Sequence, residues 1–351
     1  MLHAPSAVGG NPQGLARAER ELGADSISVV LDRNPFGYRA DVVLGGGDGS
    51  RLRFEARRLR LLASAFRQDV VHFNFGRTIL PPQLRMLDLV LLKRAGVAVA
   101  VTFQGDDVRR GDVARRLGGA PTLPIALPDR YLPRLDVERR VRVERFARYA
   151  DLIYYLNPDL SHVLPTRARF VPYAHVDPRE WTPRDPAPRG TPVIVHAPSD
   201  REVKGSRHLI EAVDALKHDG VAVELQLVEG LTNEEARQRY AHADLAVDQL
   251  YAGWYGGFAV EAMALGLPVV TYLRREDLGV VPADMVADLP VVETTAATIA
   301  NTLRELLGPR RAELPALGAR SRRFVERWHD PRAIAAQMIQ DYARVVGRSA
   351  G

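Results

Sequence analysis

The 351-residue sequence predicts an α/β protein built from two doubly wound parallel sheets. Three observations carry that reading. Short runs rich in β-branched residues alternate with helical patterns, the order that parallel strands with helical crossovers require. The alternation breaks once, at a cluster of prolines between 172 and 192, and then resumes. The length suits two domains of about 150–200 residues each.

In the first series Leu2–Pro5, Ser26–Leu31, Asp69–Phe73, Val97–Phe103 and Asp151–Leu156 read as strands. Their apolar residues form short continuous runs, as strands buried on both faces do. Between them Gln13–Leu22, Arg53–Phe66, Leu80–Arg94 and Arg134–Tyr149 read as helices. The shortness of Leu2–Pro5 leaves room for a few further residues ahead of it. Pro172, Pro178, Pro183, Pro186, Pro188 and Pro192 then interrupt all periodicity, and 176–191 is expected to be a linker. The second series follows, with strands at Val193–His196, Val223–Val228, Leu245–Val247 and Val269–Leu273. Its helices are Ser206–Lys217, Asn233–His242 and Phe258–Leu265. Leu209, Ile210, Val213 and Leu216 share one face of the first of these. Helices dominate from Thr295 to Val346. The expected domains are 1–175 and 192–330, with 331–351 as a closing helix.

Composition narrows the function. The chain is 46% hydrophobic and 26% charged, as globular proteins are. It has no cysteine, which excludes disulfides, thiolate metal sites, iron–sulfur clusters and a cysteine nucleophile. A formal charge of +5 points equally to an anionic ligand or to a membrane surface, and no basic–aromatic module points to nucleic acid as a partner. Of the 48 basic residues only Lys93, Lys204 and Lys217 are lysines, so each lysine asks for a reason. The start lacks the features of a signal peptide, and no apolar run reaches the roughly 18 residues that span a bilayer. A soluble, cytoplasmic protein is expected.

Ligands of open α/β sheets collect where strands end and helices begin. Those junctions are Ala4–Gly10, His72–Thr78, Gln104–Asp107, His196–Gly205 and Asp248–Glu261. In the fourth, strand, turn and helix start favour an anion, and Lys204 beside Gly205 adds an ammonium. A diphosphate fits, with Ser199 or Arg201 as a further donor; the plainer reading is an exposed lysine at a helix start. In the fifth, Gly256 and Gly257 bend the chain and admit a ligand close to the backbone. Glu261 follows in the first turn of a helix that Gly266 and Pro268 end. Its carboxylate matches two adjacent ribose hydroxyls, or else it is a glutamate stabilised by the helix dipole.

The stretches His196–Gly205, Tyr240–Asp248 and Gly256–Val270 resemble the nucleotide-binding domain of retaining glycosyltransferases of the GT-B fold. Gly9-Gly10, Asp69–Gly76 and Thr102–Arg109 are similar to that group's first-domain junctions. Phe324–Trp328 and Ala333–Val345 are similar to its last helices, which cross back to the first domain. The resemblance implies two Rossmann-like domains and metal-independent transfer of a sugar from a nucleoside-diphosphate donor to an acceptor hydroxyl. Beyond the donor no cofactor is implied. It further implies that Glu261 holds the ribose and Lys204 the diphosphate, and that amides near Gly256, Gly257 and Phe258 meet sugar hydroxyls or the distal phosphate. Gly9 and Gly10 would close on the diphosphate. Two positions depart from the pattern. Gly253 stands where the family often has a second glutamate, and Gln104 where many relatives carry a histidine.

Other features have two readings each. His72 and Gln104 either orient the reacting sugars or are satisfied groups at strand ends. Trp254 and Tyr255 either stack on a sugar or base or pack a loop. Asp106 and Asp107 read as a polar turn and not as a metal site, and Gly45–Gly49 as a polar loop. The basic helical patterns Arg51–Arg60 and Arg134–Arg148 read as solvated faces ahead of peripheral membrane contact or the gathering of an acidic acceptor. The rival functions are a non-catalytic nucleotide-sugar-binding protein, motivated by Gly253, and a GT-B sugar-nucleotide epimerase.

Overall fold

A computed structural model describes residues 1–45, 50–184 and 190–349. Most of the turn 45–49, and Pro186 and Pro188 of the proline cluster, lie outside the described residues. The chain forms two compact units, one of 1–113, 131–175 and 331–351, the other of 114–130 and 176–330.

The first unit is a parallel sheet of seven strands: β1 (Leu2–Ala4), β2 (Ile27–Val30), β3 (Val42–Val43), β4 (Val70–Asn74), β5 (Ala98–Phe103), β6 (Leu152–Tyr155) and β7 (Arg169–Phe170). Their order is β3-β2-β1-β4-β5-β6-β7. The order in which strands are added therefore reverses between β1 and β4, the switch point at which loops diverge and leave a crevice. Pairing is in register with Val71 beside Val99 and Val101 beside Ile153. One sheet face buries Phe73, Val99, Phe103 and Phe146. The other is covered by Asn11–Glu21 and by the last helix, Pro331–Ser349, which sets Ile334, Ala335, Met338 and Tyr342 against Val70, Ala98 and Leu152. Residues 334, 338 and 342 recur every fourth position and so share a face. Each large apolar side chain buried there contributes about 2 kcal/mol.

The second unit has five parallel strands: β8 (Val193–His196), β9 (Glu224–Leu227), β10 (Leu245–Val247), β11 (Val269–Thr271) and β12 (Val292–Glu293). Their order is β12-β11-β10-β8-β9. The amphipathic helix Ser206–His218 turns Leu209, Val213 and Leu216 into a core shared with Ile194, Val247, Val270 and Leu303.

The expected Leu80–Arg94 helix is broken. Pro82–Leu84 is a single 3-10 turn, Arg85 and Met86 take left-handed backbone, and an α-helix runs only over Leu87–Arg94. The Asp88 carboxylate accepts from the Leu80 amide at 2.9 Å and holds that bend. The proline cluster also differs from a free linker: over 176–184 it is built into the second unit. Arg322 donates to the carbonyls of Pro178 and Trp181, and Arg237 lies 4.2 Å over the Trp181 ring. Residues 114–130, expected in the first half, are likewise part of the second unit. Arg274 holds the carbonyls of Gly118 and Ala120, the Tyr272 hydroxyl that of Pro121, and Arg130 pairs with Asp200 and Glu202.

Candidate functional site

In the second unit β8 and β10 are neighbours, so the turns that follow them meet. Lys204, after β8, places its ammonium 2.9 Å from Asp248 Oδ1 and 2.7 Å from Gln249 Oε1. Asp248 is buried, and its other oxygen accepts from the Gly256 amide at 2.5 Å. One carboxylate thus ties an ammonium to the start of the helix Gly257–Ala264. Gln249 is held in turn by donating to the Trp254 carbonyl. A Cβ at residue 256 would lie 2.9 Å from the Lys204 nitrogen, so glycine is what lets the ammonium sit against the backbone. The ammonium has three N–H groups; Asp248 and Gln249 account for two. The helix start has no side-chain cap; Ala259 and Val260 donate to the Gly256 carbonyl, which leaves the Gly257 and Phe258 amides without an intrahelical acceptor among the described residues.

Glu261 lies on that same helix, 2% exposed, and accepts from Asn233 Nδ2 at 2.6 Å. Asn233 opens the helix Asn233–Tyr240, which a Thr232–Glu235 capping box fixes. Tyr240 is raised well above the usual phenol range by burial, and by the Glu261 and Asp248 charges, so it stays a neutral hydroxyl. Sequence reasoning found Lys204, Gly256 and Glu261 and missed Asp248, Gln249 and Asn233 as their partners. A carboxylate directly after a core strand was the available signal.

The turn before Lys204 differs from expectation. The amides that were to receive an anion are occupied by the chain itself. Asp200 accepts from the amides of Glu202 and Val203 at 3.0 and 3.1 Å, and the helix is only Arg201–Lys204. Arg201 is turned to Glu229 at 2.8 Å, and Ser199 is exposed beside Asp200. His196 is neutral: burial lowers it to about 4, aided by the Lys204 charge. Its ring spans from the Val247 carbonyl to the Ser206 hydroxyl, 2.7 Å each.

Tyr255 corrects a second expectation. It is fully buried, its hydroxyl 2.9 Å from His329 Nε2 and its ring edge-on to Phe324, so no ligand can stack on it. Trp254 is buried against it with ring centroids 4.4 Å apart. Phe258 packs on Tyr240, which leaves its backbone as the part that a ligand can use. Gly253 has φ +71°, and a Cβ there would lie 2.8 Å from Arg274 Cβ. Arg274, buried and paired with Asp277, fills the space into which a side chain at 253 would project.

In the first unit Gly9 and Gly10 have φ of 61° and 69° and lead into Asn11–Glu21. Gln104 follows β5, and its Oε1 is 3.7 Å from where a Cβ of Gly9 would be. Its amide nitrogen, like that of Asn11, has no hydrogen-bond acceptor among the described residues. His72 is different. Its two nitrogens lie 2.7 Å from the Tyr342 and Thr102 hydroxyls, and burial and neighbouring His3 push it well below its ordinary value. A buried neutral ring with both nitrogens occupied has nothing to offer a sugar, and its expected catalytic role is withdrawn. Asp107 closes its turn on the amides of Gly105 and Gln104 and is raised to about 6 by burial, while Asp106 pairs with Arg109.

No known family model matches the chain. It is 29% identical over 223 residues to the MMP α-(1→4)-mannosyltransferase of Mycolicibacterium hassiacum, covering 56% of this chain and 51% of that protein. The chain therefore spans about half the length of the curated relative it matches. Sucrose-phosphate synthase from Thermosynechococcus elongatus superposes with a TM-score of 0.60 at 16% identity, over 99% of this chain and 98% of that one. Anabaena HepE, solved in complex with UDP-glucose, superposes with a TM-score of 0.59 at 12% identity, over 98% of each chain. At such identities the likeness is one of fold: two doubly wound α/β units of the GT-B kind, with the last helix on the first unit.

Proposed function

We propose that this GT-B protein is a retaining glycosyltransferase that moves a sugar from a nucleoside-diphosphate donor to an acceptor hydroxyl without a metal. The observation that carries the reading is the Lys204–Asp248–Gly256 cluster beside Glu261, four groups of one unit brought together at the carboxyl ends of β8 and β10. The mannosyltransferase relative and the UDP-glucose complex of HepE support the reaction class and the donor class.

The chemistry follows from the charges. Loss of the sugar leaves negative charge on a diphosphate, and a preorganised cation lowers the cost of that charge. Lys204 is preorganised: Asp248 and Gln249 fix two of its N–H groups and the third serves a phosphate oxygen. The first-turn amides of Gly257 and Phe258 add donors at the positive end of a helix dipole. Glu261 accepts from the ribose hydroxyls, its carboxylate held in place by Asn233. Retention is what the resemblance to the retaining group implies, with the donor phosphate assisting deprotonation of the acceptor on the same face. Gln104 and Asn11 each have an amide N–H left over for a ligand of the first unit.

Gly253 favours a second reading, a nucleotide-sugar-binding protein without transfer. A thermal-shift panel of UDP-, GDP-, ADP- and TDP-sugars tests the shared premise, since a bound donor raises the melting temperature by mass action. One donor class is expected to stabilise the protein, and slow hydrolysis of that donor then separates transferase from binder. No shift with any of the four contradicts both readings.

A further inference from the structure

We infer that the helix Arg51–Ala65 of the first unit docks the protein on an anionic lipid bilayer. Leu52, Ala56, Leu59, Ala63 and Phe66 recur at spacings of four and three residues along this helix and its C-terminal cap, which aligns them on one face. That face is turned to solvent. Leu52 is 85% exposed, Leu59 58% and Phe66 37%, and Ala56 and Ala63 are exposed as well. The opposite face already supplies the unit's core through Leu61, Leu62 and Ala65. The helix therefore has two apolar faces, and fold stability accounts for one. Two isolated exposed leucines would mean little; an aligned row flanked by charge is different.

The charge identifies the occupant. Between 51 and 67 there are six arginines and one carboxylate, Glu55, which pairs with Arg58. Arg53, Arg57, Arg60 and Arg67 fall along one flank of the apolar row by the same helical arithmetic. Leucines entering an interface beside a line of guanidinium groups at headgroup depth is the arrangement of a helix lying on an anionic membrane. A second copy lying antiparallel would set the two arginine rows side by side, which opposes self-pairing. The Ser50 cap and the bond from Arg57 to the Leu44 carbonyl at 3.0 Å fix this helix beside β3, so the face is preformed.

The proposal is independent of the transfer reading, and its test needs no donor. The full chain is sedimented with phosphatidylcholine vesicles, with and without phosphatidylglycerol. Binding is expected to the mixed vesicles and to weaken with salt. Leu52→Glu/Leu59→Glu should reduce it about tenfold or more, and Arg60→Gln/Arg67→Gln by a similar factor. Both pairs lie on the surface, so unchanged melting temperatures verify folding. Three results overturn the proposal: no binding of the parent protein to mixed vesicles, equal binding by the Leu52→Glu/Leu59→Glu variant, or a lipid-free dimer that this variant dissolves. The last would assign the face to a second copy.

Discussion

Two buried polar networks, one in each unit, differ in a way that separates architecture from function. Around His72 every hydrogen-bonding atom of the ring is used: Tyr342 and Thr102 take the nitrogens, and the ring is neutral. Around Lys204 the network is charged and, among the described residues, leaves an N–H of the ammonium beside the uncapped start of a helix. Closed neutral networks bind a helix to a sheet. A charged network with donors left over is held ready for an anion, and burial alone does not tell the two apart.

The largest effect that sharpens the comparison is expected at Asp248. Asp248→Ala strands a largely buried ammonium, with a side chain 13% exposed, and should cost about 3 kcal/mol or more of stability. Urea denaturation measures this, and donor turnover should fall with it. His72→Leu leaves two buried hydroxyls without their partner and should cost about 2 kcal/mol. Its donor affinity should match the parent's in calorimetric titration; a change would break the distinction between the networks.

The smallest effect is in pH. An unfolded histidine takes its proton near 6.5, whereas His196 does so only at about 4 in the folded chain. The stability this contributes above pH 6.5 is lost as pH falls toward 4, and His72 acts in the same direction. Asp107 opposes them: its folded value of about 6 exceeds the usual 3.8, so its contribution is lost as pH rises between those values. Burial also raises the Asp88 carboxyl, in the same sense as Asp107. The contribution of the two histidines is lost over the whole fall from 6.5, so a lower urea midpoint is expected at about pH 5 than at about pH 7. Asp107→Asn should make that fall steeper.

Much of this was legible in the sequence. The core strands β5, β8 and β10 are short, largely apolar runs, and the helix from Ser206 shows its buried face by period alone. Leu80–Arg94 misled because its composition is helical, while Pro81-Pro82 and the left-handed Arg85 and Met86 impose a bend that no periodicity encodes. Edge strands such as Val42–Val43 are too short to leave a pattern. At the site, Lys204 and Glu261 stood out by rarity and by an apolar setting. The seat of Lys204 depends on β10 lying beside β8, and the burial of Tyr255 on His329, 74 residues further on. Such long-range partnerships leave no local trace.

If the second unit binds a nucleoside-diphosphate sugar as proposed, Glu261 and Lys204 carry that binding. Isothermal titration of the stabilising donor into the parent and Glu261→Ala proteins tests it most directly. Saturable binding is expected in the parent, weakening by about 2 kcal/mol in the variant, roughly thirtyfold, from loss of charge-assisted hydrogen bonds. Equal affinity in the two proteins would contradict it.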